Sequence, residues 1–301
     1  MNGGAKRRDL ALTAPAMAYL ALFMIAPLLL MLYVSFLERA PFGGVQWGTF
    51  TAVAYEKLVV ERDLLGQLAI NTDYLSIFAR SFRLAGITTL LTLLIGVPTA
   101  LYMTTLSRRN AAIVLFLITV PFWTNLLVRN FAWILILRNG GSLDWVLQTV
   151  GLTRAPVDIL YTPLATGIGL TYSFLPFMIL PAYVALERID RRLIEAAFDL
   201  GANRWQVLRR VVLPLALPGI VAGAVLVFVP CLGAYVSPEL LGGGKSLMIG
   251  NLVQAQFGES RNWPFGAALA LVLVLVLMLA MGLLLLLRRR STVSTGAKAS
   301  R

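Results

Sequence analysis

Residues 187–220 read ERIDRRLIEAAFDLGANRWQVLRRVVLPLALPGI. Apolar side chains at Leu193, Ala196, Ala197 and Leu200, then at Val207, Leu208 and Val211, recur at steps of three and four. That spacing draws one apolar stripe along a helix. Gly201 interrupts the stripe where a helix C-cap would place a glycine. Pro214 and Pro218 fall where the next, wholly apolar block begins. The stretch therefore predicts a short helix, a turn at Gly201, and a second helix that runs on into the apolar block.

The blocks on either side set the class of the protein. The chain has 301 residues, of which 58% are hydrophobic and 13% charged. Its mean hydropathy is +0.80. A soluble domain carries about 25% charged residues. Here the apolar residues fall in long runs with the charges at their ends, which is how a membrane protein distributes them. That distribution argues against reading the net charge of +12 as a nucleic-acid surface. Cys231 is the one cysteine and there is no histidine. No disulfide can form within the chain, no Cys/His metal set exists, and the commonest general base is missing.

Six blocks are long enough to cross a bilayer: Leu12–Phe36, Leu84–Leu106, Ala111–Leu137, Leu164–Leu186, Val212–Val236 and Phe265–Leu287. The first follows Lys6, Arg7 and Arg8 but is too long for the core of a signal peptide, so it reads as an uncleaved helix. Six spans put both termini on one side. That side holds sixteen basic and five acidic residues, and the other holds nine of each. The expectation is cytoplasmic termini, with residues 187–220 facing the cytoplasm. The first outer loop carries Trp47, Tyr55 and Tyr74, and reads either as a small cap or as a solvated loop.

A short amphipathic helix at a membrane can lie on lipid, join two spans, or dock on a soluble partner. Spacing alone leaves these open. Glu195-Ala196-Ala197, then Gly201, then Val211-Val212-Leu213-Pro214 resemble the EAA loop of ABC importer permeases. In that family the motif runs Glu-Ala-Ala, three residues, Gly, nine residues, Ile-x-Leu-Pro, so the departure here is Val211 for Ile. The family's loop forms a coupling helix that sits in a groove of the ATPase subunit. The resemblance implies that role for Glu195, Ala196, Ala197, Asp199, Gly201, Leu213 and Pro214.

The likeness spans roughly Ser81 to Arg288. Pro121-Phe122-Trp123-Thr124-Asn125, Leu175-Pro176-Phe177-Met178 and Arg261-Asn262-Trp263-Pro264-Phe265-Gly266 are similar to the permeases of spermidine/putrescine importers, and among these to the first of the two such systems carry. The implied fold is an all-α integral membrane protein with six transmembrane helices, of the MetI-like type I importer class. The implied organisation is a cytoplasmic N-terminus (1–11), a first transmembrane helix (12–36) and a periplasmic loop (37–80). A type-1 transmembrane domain (81–288, with the coupling loop at 189–214) and a cytoplasmic tail (289–301) follow. The implied setting is the bacterial inner membrane. The implied partners are a dimer of ATP-binding subunits, a second permease in a heterodimer, and a periplasmic substrate-binding protein. ATP and Mg would be used by the ATPase and no cofactor by this chain. The chain has no GxxxxGK[ST] run. Gly242-Gly243-Gly244-Lys245-Ser246 lacks the glycine spacing and reads as a flexible turn at an outer gate.

The substrate is harder to read. A polyamine favours carboxylates or aromatic faces along its path. None of the acidic residues falls within a span, and the charge inside span three, Arg129, has the wrong sign. Three resolutions stay open: the partner permease supplies acids; Trp123, Tyr172, Tyr235 and backbone carbonyls line the path; or the substrate is zwitterionic or anionic and meets Arg129. An intramembrane charge is a functional candidate by default, although this one is placed to snorkel. Glu239 and Trp263 stand at the outer gate, and Asp144 is a candidate contact for the binding protein. Asn125 and Asn130 flank Arg129 and are suited to bonds across helices. The run Leu269–Leu287 reads as lipid-facing scaffold. Related importers carry opines, aminoalkylphosphonates, thiamine or ferric iron, so these solutes remain alternatives. An ATPase-independent secondary transporter is less favoured because no internal repeat is visible. A membrane-embedded enzyme lacks histidines and clustered acids.

Overall fold

The structure is a computed structural model and describes residues 3–62, 68–153, 155–245 and 247–298. Arg154, Ser246 and Arg301 lie outside the described residues. The chain divides into two compact units, one formed by residues 1–74 with 252–301 and the other by 75–251.

The second unit is a bundle. Its long helices are α3 (Thr72–Thr105), α4 (Arg108–Trp123), α5 (Leu126–Leu137), α7 (Pro163–Glu187) and α10 (Leu213–Leu232). Shorter helices join them: α6 (Ser142–Thr149), α8 (Arg191–Asp199), α9 (Arg204–Val207) and α11 (Val236–Gly242). The core lies where α3, α4, α7 and α10 meet, around Ala100, Met103, Ile179, Ala182 and Ala216. Small residues allow this approach. A Cβ on Gly96 would lie 2.8 Å from the Met178 side chain, and one on Gly223 would lie 3.1 Å from its sulfur. A Cβ on Gly219 would collide with Ala185 and lie 2.7 Å from the Pro181 carbonyl. Between apolar helices, close packing of this kind replaces the hydrophobic drive that lipid removes. Hydroxyls inside the helices bond to their own backbone: Thr89 donates to the Ala85 carbonyl and Thr99 to that of Ile95, both at 2.7 Å.

The first unit holds α1 (Gly3–Ser35), a hairpin of β1 (Leu37–Arg39) and β2 (Val45–Phe50), and α2 (Val53–Val59). A second hairpin pairs β3 (Val60–Arg62) with β4 (Leu68–Ile70). Helix α13 (Trp263–Lys298) completes the unit. Helix α12 (Ile249–Phe257) leads back into it. Among the described residues, the segment between α1 and α3 thus holds two small antiparallel pairs inside an otherwise helical chain. Ser35 and Tyr55 share a hydrogen bond of 2.8 Å. The hairpin turn docks on Arg261, whose carbonyl accepts from Gly44 N–H at 2.7 Å. Gly43 has φ +91°, and a Cβ there would lie 2.6 Å from Arg261 Cβ.

Among the described residues, five helices are long and apolar enough to cross a membrane: Thr13–Ser35, Thr72–Thr105, Pro163–Glu187, Arg204–Leu232 and Trp263–Gly282. The sequence reading departs from the structure in four places. Span three, expected as one helix from Ala111 to Leu137, is broken after Trp123 and bent by 95°. Pro121 offers no N–H to the last turn of α4, and Asn125 caps α5 by accepting from Leu127 N–H at 2.8 Å. Span two starts a dozen residues early at Thr72, inside the expected loop, because Asn71 accepts from Asp73 N–H at 3.1 Å and begins the helix there. Val236, placed at the end of span five, begins α11. Leu269, placed on a lipid-facing run, is fully buried with Ala267 and Ala268, whereas Leu275, Met278 and Leu279 further along are exposed.

Candidate functional site

The loop after α7 is built by local chemistry. Asp190 caps α8, its Oδ1 accepting from Arg192 N–H at 3.0 Å. The helix ends in bonds from Leu200 N–H to Ala196 C=O and from Ala202 N–H to Ala197 C=O, both 3.1 Å. Gly201 has φ +80°, the left-handed turn that reverses the chain. Asn203 and Gln206 then cap one another, each side chain bonding the other's backbone N–H at 2.9 Å, and α9 starts. A π-helical segment, Leu208–Val212, joins α9 to α10, with Leu213 N–H donating to Leu208 C=O. Helix, glycine turn and helix therefore stand where the periodicity placed them.

No residue of α8 is buried. Glu195, Ala196, Asp199, Gly201 and Pro214 are exposed, and Ala197 and Leu213 are half-buried. The loop also exposes Leu193 (50%), Phe198 (44%), Leu200 (89%) and Trp205 (66%). Phe198 and Trp205 are exposed aromatics that helical spacing does not mark. Their signal in the sequence is a large aromatic in an otherwise polar run.

The broken span gathers a second group. The Arg129 guanidinium lies 5.7 Å from the centre of the Phe122 ring. Its Nε is buried and has no hydrogen-bond partner. The residue as a whole is half-buried, and the helix break brings the Phe122 ring within cation–π range of it. Such a contact contributes about 0.5–2 kcal/mol. Phe122 packs edge-on to Phe177 at 5.1 Å, and Trp133 edge-on to Tyr172 at 5.5 Å. Trp123, at the break, is 86% exposed. Tyr235 and the exposed Glu239 sit one turn apart at the start of α11, where Glu239 N–H donates to Tyr235 C=O at 3.0 Å. Trp263 opens α13 in the other unit and is 45% exposed.

Two expectations are corrected. Asn125 and Asn130 bond within their own helix rather than across helices: Asn125 caps α5, and Asn130 Nδ2 donates to Leu126 C=O at 2.8 Å. Asn125 meets a free N–H of the first turn, and Asn130 reaches back one turn to a carbonyl of its own helix. Asp144 is buried and serves the fold, its two oxygens accepting from Gly140 N–H at 2.9 Å and Val157 N–H at 3.0 Å. It is not a free contact for another protein. In the Gly242–Lys245 turn, Gly243 and Gly244 both adopt left-handed backbone angles. Gly243 also lies close against Tyr161. Among the described residues, no group of three or more acidic or thiol side chains is placed to hold a metal ion.

Residues 77–293 match the family described as "binding-protein-dependent transport system inner membrane component". The spermidine/putrescine transport system permease protein PotB of Haemophilus influenzae is 42% identical over 255 residues, covering 84% of each chain. PotB of Escherichia coli is 38% identical over 250 residues, covering 83% of this chain and 86% of the other. Among solved structures, a bacterial ABC transporter involved in the import of the acidic polysaccharide alginate superposes with a TM-score of 0.66 at 17% identity, covering 92% of this chain and 96% of that one.

Proposed function

The chain belongs to the binding-protein-dependent transport system inner membrane component family, and from that premise we propose that it is one permease subunit of an ATP-driven importer for polyamines of the spermidine and putrescine class. The observation that carries the substrate is the 38–42% identity, over more than four-fifths of the chain, to spermidine/putrescine permeases.

In this reading the chain forms half of the path and a second permease forms the rest. A binding protein delivers substrate at the side away from the termini, and a pair of ATPase subunits binds beneath. The termini and α8 face the cytoplasm, in line with the excess of basic residues there. Glu195, Ala196, Ala197, Asp199 and Gly201 form the surface that enters the ATPase, and Leu213 and Pro214 tie it to α10. The two alanines let a partner surface approach closely. Leu193, Phe198, Leu200 and Trp205 add the apolar area that such an interface buries. ATP and Mg are consumed in the partner. On the path, Trp123, Tyr172 and Tyr235 offer aromatic faces to ammonium groups, Glu239 stands at its outer mouth, and Asn125 holds the break that exposes Trp123.

A second reading has its own observation. Arg129, with its buried and unpaired Nε, suits an anionic or zwitterionic solute better than a polycation. One experiment separates the two. The complete complex, reconstituted in vesicles with its binding protein and internal ATP, is offered labelled spermidine, putrescine and an aminoalkylphosphonate. Polyamine uptake that stops when ATP is left out supports the proposal. Uptake of the phosphonate alone supports the second reading, and uptake without ATP sinks both.

A further inference from the structure

The first outer loop has no part in the proposed coupling, yet it builds an aromatic cluster. In a regular strand, Trp47 and Phe50 are three apart and point to opposite faces. Between β1 and β2 the register slips: Leu37 pairs with Phe50, but Glu38 pairs with Gln46. The slip leaves Trp47, Gly48 and Thr49 as a bulge, with Gly48 at φ +91°. Its effect is to bring both rings to Tyr33 at the end of α1, Trp47 stacked at 6.1 Å and Phe50 edge-on at 5.6 Å.

This cluster is not buried. Trp47 is 65% exposed, Phe50 69%, and Phe42 at the hairpin tip 96%. Beside it runs an apolar groove of about 580 Å³ whose lining includes Leu29, Leu32, Tyr33, Phe36 and Phe50. The groove continues the surface of α1, whose apolar window within Thr13–Ser35 has no buried residue. Leu29 lies about 6 Å further along the helix axis, into the span, than Tyr33. Aliphatic side chains thus give way to Tyr and Trp at the span's end, which is the order found from bilayer hydrocarbon to headgroup layer.

We propose that the β1–β2 hairpin is a membrane-interface element. It lies in the headgroup layer of the leaflet opposite the N-terminus and seats a phospholipid acyl chain in the groove against Leu29 and Leu32. The bulge at Gly48 is the device that turns both rings toward lipid. Water is a poor solvent for a cluster of exposed rings, whereas the interface holds such rings with their polar atoms wet.

The test uses the full transporter with its partner subunits in phospholipid vesicles. Cys231→Ser removes the one cysteine, and Gln46→Cys, Trp47→Cys and Phe50→Cys then each carry a nitroxide. Collisions with oxygen, which concentrates in the bilayer, are compared with collisions with a water-soluble nickel chelate. The expected result is a several-fold preference for oxygen at positions 47 and 50 over position 46. Equal nickel access at all three would make the hairpin a solvated loop and overturn the proposal. So would labels at 47 and 50 shielded from both probes in the assembled transporter but not in the chain alone, because a partner subunit would then cover the groove. A second measurement leaves the hairpin intact: Trp47 is kept as the sole tryptophan and quenched by phospholipids brominated near the carbonyl or near the chain end. Stronger quenching by the shallow bromines supports the interface position, and no quenching by either refutes it.

Discussion

Gly201 shows how a single residue separates fold from function. Its φ of +80° excludes most side chains, but nothing lies within 4 Å of where a Cβ would be. Asp and Asn enter the left-handed region more readily than other residues. Gly201→Asp is therefore expected to leave the protein folded and in the membrane while it abolishes polyamine uptake, because the new charge lies on the proposed docking surface. Uptake at the normal rate, measured in vesicles with matched protein content, would remove Gly201 from that surface. Gly219 is the opposite case. Gly219→Ala places a methyl group against Ala185 and the Pro181 carbonyl, so α7 and α10 must part. Overpacking of this kind costs about 1–3 kcal/mol. A lower thermal midpoint in detergent is expected, with partial recovery on adding Ala185→Gly. No recovery in the double variant would place the strain on the Pro181 carbonyl instead. Glycine spacing in the sequence marked Gly201, but nothing in the sequence marked Gly219. The difference is physical, since a turn is a local property and a helix crossing is not.

At the scale of elements, the π segment Leu208–Val212 is the feature periodicity could not supply. In a regular helix the Pro214 ring would crowd the Arg210 carbonyl, and the proline has no N–H to give. A wider turn, in which Leu213 N–H reaches back five residues to Leu208, makes room. Pro214→Ala is expected to let this segment relax to an α-helix, turning α8 by about 100° about the axis of α10. Protein levels should hold, polyamine uptake should fall, and ATP hydrolysis by the complex should depend less on loaded binding protein. Unchanged uptake and hydrolysis would mean that the segment does not set the angle of α8. The break in span three carries the same lesson. The polar dip at Thr124 and Asn125 is only two residues long inside an apolar block from Ala111 to Leu137, so the block reads as one helix. Pro121, Thr124 and Asn125 are the local signals for a break, yet proline is tolerated in many membrane helices. Here Thr124 Oγ1 also takes the Pro121 carbonyl at 2.7 Å, and Asn125 starts a new helix.

At the scale of the molecule, the chain resolves into a bundle of spans two to five and a separate unit of first span, outer loop and last span. The family match covers 77–293, so it takes in the bundle and α13 but leaves α1 and the hairpins outside. The loop proposed for coupling belongs to the bundle, and the hairpin proposed for the membrane interface to the other unit. Amino-acid order alone determined the membrane class, the approximate spans, and the helix–turn–helix from Asp190 to Val207. These follow from composition, period and capping, which act over a few residues. Only the tertiary structure decided that Arg129 lies over Phe122, that Asp144 is spent on two backbone N–H groups, and that a bulge aims Trp47 and Phe50 at Tyr33. Each of those depends on where the chain bends back on itself, and the energy that fixes a bend comes from groups brought together by the rest of the fold.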